Sequence, residues 1–142
     1  VHDGYFCDFD RNFAIGAPSR DVRAAHRRLL EAVDAAMEIA RPGVSAADLF
    51  HAMDAIVTGG QGGSDTGRLG HGLGTQLTEW PSLIPQDRTR IEAGMVLTLE
   101  PGIEVSPGRI LVHEENIVIE SDGARFLSSR ADPEILCLEG SA

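Results

Sequence analysis

Four short stretches of this 142-residue sequence carry side chains that could do chemistry. Asp8 lies in Gly4-Tyr5-Phe6-Cys7-Asp8-Phe9-Asp10. A single imidazole, His71, stands among three glycines in Gly70-His71-Gly72-Leu73-Gly74. Glu100 closes Leu97-Thr98-Leu99-Glu100 just before Pro101-Gly102, and Glu114 and Glu115 are adjacent in Leu111-Val112-His113-Glu114-Glu115-Asn116-Ile117. Carboxylate oxygens with one neutral imidazole form a donor set that hard or borderline divalent ions accept, and one carboxylate can bridge two such ions. Taken singly, each signal is weak: a strand carboxylate is usually solvated, and a histidine in a glycine-rich loop is more often structural than a ligand. Neighbouring strand residues point to opposite faces, so only one of Glu114 and Glu115 can join a common site. Spacing alone does not choose between them.

These residues need elements to hold them. Residues 4–15 read as a turn and a strand, with Phe9, Phe13 and Ile15 on one parity and Asp8, Asp10 and Asn12 on the other. Gly16-Ala17-Pro18-Ser19 breaks that strand, and Ser19 or a neighbour can cap a helix. Val22, Ala25, Leu29, Val33, Ala36, Met37 and Ala40 then recur at helical steps as far as Arg41. Pro42-Gly43 stops this helix, and Ser45-Ala46-Ala47-Asp48 predicts a capping box for a second one carrying Leu49, Met53, Ile56 and Val57. The run from Gly59 to Asp65 is too rich in glycine for an element interior. It reads as an active-site loop rather than a linker, because the helix pair needs a sheet to pack on. Strands are expected over 95–99, 109–112 and 116–119, separated by Pro101-Gly102, Ser106-Pro107-Gly108 and Ser121-Asp122-Gly123. Residues 131–142 read as a loosely attached end, apart from Ile135, Leu136 and Leu138.

Composition narrows the function class. A net charge of −10 argues against nucleic acid or an anionic membrane as partner. No apolar run reaches the roughly 18 residues of a membrane span, and no signal peptide is recognisable. Cys7 and Cys137 are too few for a disulfide framework, so a reduced cytoplasmic protein is expected. Cys7 reads as a buried free thiol. His26 and His51 read as surface or half-buried helix residues, and His113 as a packing residue. The first residues lack the polar lead usual at a terminus, which suggests that the chain opens inside a strand or hairpin of a longer protein.

The ordered set Gly4-Tyr5 to Asp8-Phe9-Asp10-Arg11, Gly70-His71-Gly72-Leu73-Gly74, Thr98-Leu99-Glu100-Pro101-Gly102-Ile103 and His113-Glu114-Glu115-Asn116-Ile117-Val118 resembles the metallopeptidase family of prolidase, aminopeptidase P, methionine aminopeptidase and creatinase. His71 follows Asp8 by 63 residues, Glu100 follows His71 by 29 and Glu114 follows Glu100 by 14, which fits the family layout. The resemblance implies an α+β architecture, the pita-bread fold, with a curved antiparallel sheet and flanking helices. Residues 1–142 would form the carboxy-terminal portion of one catalytic domain, an incomplete copy lacking the front. It also implies two divalent ions (Mn, Co, Zn or Fe), with Asp8 bridging, His71 and Glu100 ligating one ion, and Glu114 as the second bridging carboxylate. Glu115 would then face away. Glu100 would act as general base and then as proton donor, with His71 beside it in the catalytic centre. The family's first aspartate ligand would lie before Val1.

Two further departures concern substrate. Thr78, in Thr78-Glu79-Trp80-Pro81, stands where peptidase members usually carry a substrate-facing histidine. Val112 stands where proline-specific members often have arginine. Thr78 and Trp80 are the candidate substrate-binding residues. The expected activity is hydrolysis of the bond between an amino-terminal residue and proline, by an Xaa-Pro dipeptidase or aminopeptidase acting on small peptides as a homodimer. The alternatives are another reaction on the same scaffold, amidine hydrolysis as in creatinase or lyase chemistry on a small zwitterion, and a metal-free binding protein.

Overall fold

The computed structural model describes residues 1–63 and 67–139. Its first long element is α1 (Arg20–Ile39), started by Ser19, whose hydroxyl accepts the Val22 amide at 3.2 Å. Satisfying one of the free amides of a first turn is what a serine cap contributes. The helical spacing read from the sequence is realised as a buried stripe of Ala25, Leu29, Ala32, Val33 and Ala36. Gly43, at φ 92°, makes the turn out of α1 that a residue with a Cβ would resist. Helix α2 (Ala46–Val57) then begins with the expected capping box: Asp48 Oδ2 accepts the Ser45 amide at 2.9 Å while Ser45 Oγ accepts the Asp48 amide at 3.2 Å. These bonds from Ser45 hold the Asp48 carboxyl below the ordinary carboxylate range.

The helix pair covers one face of a five-stranded antiparallel sheet. Its strands are β2 (His71–Gly72), β3 (Glu79–Ser82), β4 (Val96–Leu99), β7 (Glu115–Ile119) and β8 (Ala124–Phe126), in the spatial order β3-β2-β4-β7-β8. Leu97 and Leu99 of β4 and Ile117 and Ile119 of β7 meet Leu29, Leu49, Phe50 and Met53 in the core. In the β4–β7 ladder Thr98 pairs with Asn116 and Leu99 with Glu115. Directly paired residues share a face, so Thr98 and Asn116 project together from the side opposite Leu97 and Leu99. A hairpin of β5 (Gly102–Ser106) and β6 (Arg109–Val112) extends from β4 towards β7. A separate parallel pair joins β1 (Phe13–Ile15) to β9 (Leu136–Leu138). Among the described residues no helix is long and apolar enough to cross a membrane.

The structure differs from the sequence reading in several places. Of residues 4–15 only Phe13–Ile15 forms a strand, and Phe9, Phe13 and Ile15 are exposed rather than core-facing. The preceding residues are held by side chains instead of a ladder. Cys7 is exposed, as is Cys137, and His26 is buried with Nε2 3.0 Å from the Asp132 carbonyl oxygen. The end segment is tied down through β9, buried Ile135 and an Arg27–Glu134 ion pair. Within the expected 59–65 loop, the Gln61 and Gly62 amides fold back onto the Thr58 hydroxyl, while Ser64 and Asp65 lie outside the described residues.

Candidate metal centre

Glycines set the depth at which the histidine sits. At Gly70, φ 149°, an added Cβ would run into the Thr98 carbonyl oxygen and the Leu83 side chain. One at Gly72 would strike the Trp80 carbonyl oxygen. The backbone on both sides of His71 can therefore lie against its neighbours only without side chains. Leu69 and Glu100 are linked through the Glu100 amide and the Leu69 carbonyl at 2.8 Å, which brings the end of β4 beside the entry to β2.

His71 is fully buried. Its Nδ1 lies 2.8 Å from the Gly72 carbonyl oxygen, an atom that can only accept, so Nδ1 carries the proton and donates it there. In the neutral imidazole the lone pair is then on Nε2. That nitrogen is buried, 2.8 Å from Glu100 Oε1 and 3.5 Å from Asp8 Oδ2, yet makes no hydrogen bond of acceptable geometry. A buried lone pair facing two carboxylates has the chemistry of a cation site. One ligating atom each from Asp8, His71 and Glu100 lies within 4.8 Å of the others.

Thr98 organises this group from the same face of β4. Its hydroxyl accepts the His71 amide at 3.1 Å and donates to Glu100 Oε1 at 2.6 Å. Glu114 stands beside the three-residue group rather than within it. It shares with Glu100 a cleft of about 420 Å³ that Arg68, Leu69, Gly102 and Ile110 also line. Burial, followed by the charges of Glu100, Asp8 and Asp10, pushes the Glu114 carboxyl up to about 7. Such crowding of acids is relieved by cations, so the residues present fit divalent ions held by Asp8, His71 and Glu100, with Glu114 adjoining.

Glu115 behaves differently. It is fully buried beneath the ladder, with Oε2 3.0 Å from Arg11 Nη2 and Oε1 3.1 Å from His113 Nε2. Burial opposes its ionisation, but the bonds from His113, the Ala131 amide and Arg11 outweigh it and hold the carboxyl below the ordinary range. Opposite-face geometry thus separates the adjacent glutamates into one on the cleft and one on an internal ion pair. His113, expected as a packing residue, is buried edge-on to the His26 ring and is also a polar partner of Glu115.

Thr78 and Trp80 do not line the cleft. Thr78 is exposed; Trp80 is 70% exposed, donates from Nε1 to Thr89 Oγ1 at 2.9 Å, and borders a second hollow with Tyr5, Leu73 and Met95. A hollow between α1 and the end segment offers no comparable donor set, since its Asp34 is engaged by Arg130 at 2.5 Å. Thr98, Asn116, Arg11 and Arg68 carry parts of the site that the sequence reading left without a role. The available signal was strand parity: Thr98 is two residues from Glu100, and Asn116 two from Glu114.

The model of metallopeptidase family M24 matches residues 1–122. The chain is 39% identical over 139 residues to an Xaa-Pro dipeptidase of Lactobacillus helveticus, covering 96% of this chain and 38% of the relative. It is 33% identical over 137 residues to one of Pyrococcus furiosus, covering 96% and 39%. Among solved structures it is similar to dipeptidase PepE of Mycobacterium ulcerans, with a TM-score of 0.85 and 32% identity over 98% of this chain and 38% of the other. It is also similar to the prolidase of Pyrococcus furiosus, with a TM-score of 0.82 and 32% identity over 92% and 39%. The chain therefore spans under two-fifths of the length of these relatives and has the corresponding part of their pita-bread fold. The buried imidazole lone pair, the carboxylates around it and the match over residues 1–122 lead to one conclusion: this chain belongs to metallopeptidase family M24.

Proposed function

We propose that the complete protein is a metal-dependent Xaa-Pro dipeptidase or aminopeptidase, and that residues 1–142 form the carboxy-terminal portion of its catalytic domain. The observation that carries this reading is the unshared Nε2 lone pair of His71 facing Asp8 and Glu100. Asp8, His71, Glu100 and Glu114 would hold two divalent ions, with a further aspartate supplied from before Val1. When bound, such ions lower the pKa of a water and polarise the scissile carbonyl. Glu100 would serve as the general base for such a water and as the proton donor to the leaving amine. The Thr98 hydroxyl fixes Glu100 Oε1, and Oε2 lies 3.8 Å from Nε of Arg68, which lines the same cleft.

The oxygen-rich donor set with one imidazole suits Mn(II). Two exposed free thiols suit the cytoplasm, and a small peptide is a better partner than nucleic acid for a chain of net charge −10. The homodimer follows from the family resemblance. The dipeptidase relatives favour peptide hydrolysis over amidine hydrolysis or lyase chemistry. The test is turnover of Xaa-Pro dipeptides and longer Xaa-Pro peptides by the complete protein with Mn(II) or Co(II). Turnover that stops on chelation and returns with the ion is expected; no turnover of any of these substrates overturns the reading.

A further inference from the structure

The segment carrying Asp8 lies beside β7 without joining it. Among the described residues, no backbone-to-backbone hydrogen bond ties residues 7–12 to the chain around Glu114. Side chains make the connection, and they do so in both directions. The Asn116 amide reads both peptide groups of Asp8: Oδ1 accepts the Asp8 amide at 3.2 Å, and Nδ2 donates to the Asp8 carbonyl oxygen. From the other side, Asp10 and Arg11 read both peptide groups of Glu114. Asp10 Oδ1 accepts the Glu114 amide at 3.1 Å, and Arg11 Nη1 donates to the Glu114 carbonyl oxygen at 3.2 Å. Asn12 adds a bond from Nδ2 to the Val112 carbonyl oxygen at 2.8 Å.

We infer that Asn116, Asp10 and Arg11 form a reciprocal clamp that sets the distance between the Asp8 and Glu114 carboxylates, making them positioning residues of the metal centre. The inference rests on the two-ion reading given above. Ions of a two-metal site stand about 3.5–4 Å apart, so carboxylates that bridge them tolerate little relative movement. A β-ladder would fix register at each residue, but residues 7–12 lack one. The clamp takes its place at the two residues where register matters most. Asn116 is suited to this because an amide offers an acceptor and a donor in one plane, matching the N–H and C=O of a single residue. Arg11 is suited because its fork reaches the Glu114 carbonyl oxygen, Glu115 Oε2 at 3.0 Å and the Ser129 carbonyl oxygen at 2.7 Å, besides the adjoining Asp10 carbonyl oxygen and the Ser128 hydroxyl. Its anchor, Glu115, is the carboxylate that the metal chemistry leaves unused. Outer partners of this kind, when removed, typically lower metal affinity by about 10–100-fold.

The test is Mn(II) titration of the complete protein by calorimetry, with the electron paramagnetic resonance spectrum of the bound ions as second readout. Asn116→Leu keeps the volume and removes both bonds to Asp8. Arg11→Lys keeps the cation beside Glu115 and removes the fork, which tests the opposite side even if Asn116→Leu does not fold. Leu49→Ala, in the α2 core, is the control for general destabilisation. The expected result is that both clamp variants bind Mn(II) at least about tenfold more weakly and lose the exchange-coupled two-ion signal, while Leu49→Ala keeps the parent's affinity and spectrum. Parent-like affinity and spectrum in the clamp variants overturn the clamp, and so does an equal loss in Leu49→Ala. A parent that takes up no Mn(II) overturns instead the metal-centre reading, and the clamp with it.

Discussion

The Thr98 hydroxyl donates to Glu100 Oε1 at 2.6 Å while accepting the His71 amide at 3.1 Å, so one side chain sets two candidate ligands against each other. Because Thr98 is fully buried, its loss is not made good by water. Thr98→Val, which keeps the shape and removes the hydroxyl, is expected to cost about 1.5–3 kcal/mol, the range for hydrogen bonds to charged groups. It should also lower metal affinity by about 10–100-fold. Thr98→Ser should recover most of both. Metal titration and thermal melts of the three proteins check this.

His71→Ala and Glu100→Ala are expected to abolish peptide turnover while leaving the far-ultraviolet circular dichroism of the protein essentially unchanged. The apolar face of the sheet is buried by Leu97, Leu99, Ile117 and Ile119, none of which depends on an ion. Turnover at the parental rate in either variant would remove that residue from the centre.

The Glu114 carboxyl, pushed up to about 7 by burial and then by Glu100, Asp8 and Asp10, makes the metal-free protein pH-dependent. Its folded value lies above its ordinary 4.5, so its contribution to stability is complete below pH 4.5 and is lost as pH rises through about 7. Glu115, held low, has the opposite sign: its contribution is lost as pH falls below the ordinary range. Melting temperatures of the chelated protein between pH 4.5 and 7 should therefore fall more steeply for the parent than for Glu114→Gln. Cations should flatten the parent's curve, because ion and proton compete for the same oxygens.

Gly70→Ala should be among the most damaging single-methyl changes in the chain. The added carbon meets the Thr98 carbonyl oxygen, and φ 149° is poorly suited to alanine. Strain and overpacking together are expected to cost about 2–5 kcal/mol. Ser45→Ala, which removes the hydroxyl of the α2 capping box far from the ligands, should cost about 1 kcal/mol and leave turnover per folded molecule unchanged. Denaturant melts and activity normalised to folded protein separate the two.

Helices and ligands differed in how plainly the sequence announced them. Both helices were legible because periodicity and caps are local: Ser19 and the Ser45/Asp48 pair mark where α1 and α2 begin. Strands β4, β6 and β7 were legible from apolar runs between turn residues. By contrast β2, two residues long and half glycine, and β3, which contains Pro81, have no strand signature of their own and exist through pairing. The candidate ligands were visible as types and the family resemblance favoured Glu114 over Glu115, but the physical reason lies in the ladder register and in the Arg11–Glu115 ion pair, a contact between residues 104 positions apart. The exposure of Phe9, Phe13 and Ile15 was not legible from alternation, because alternation identifies a face without saying what covers it.

The parallel pairing of β1 with β9 bears on the order in which the molecule is completed during synthesis. Residues 13–15, directly downstream of the Asp8 segment, find their strand partner only in residues 136–138, and Arg11 finds the Ser129 carbonyl oxygen only slightly earlier. On the ribosome, the helix hairpin can form as soon as it emerges, since its contacts are near in sequence. Asp8 gains its Asn116 anchor only 108 residues further along, so the ion-binding pocket is completed well after the helix hairpin.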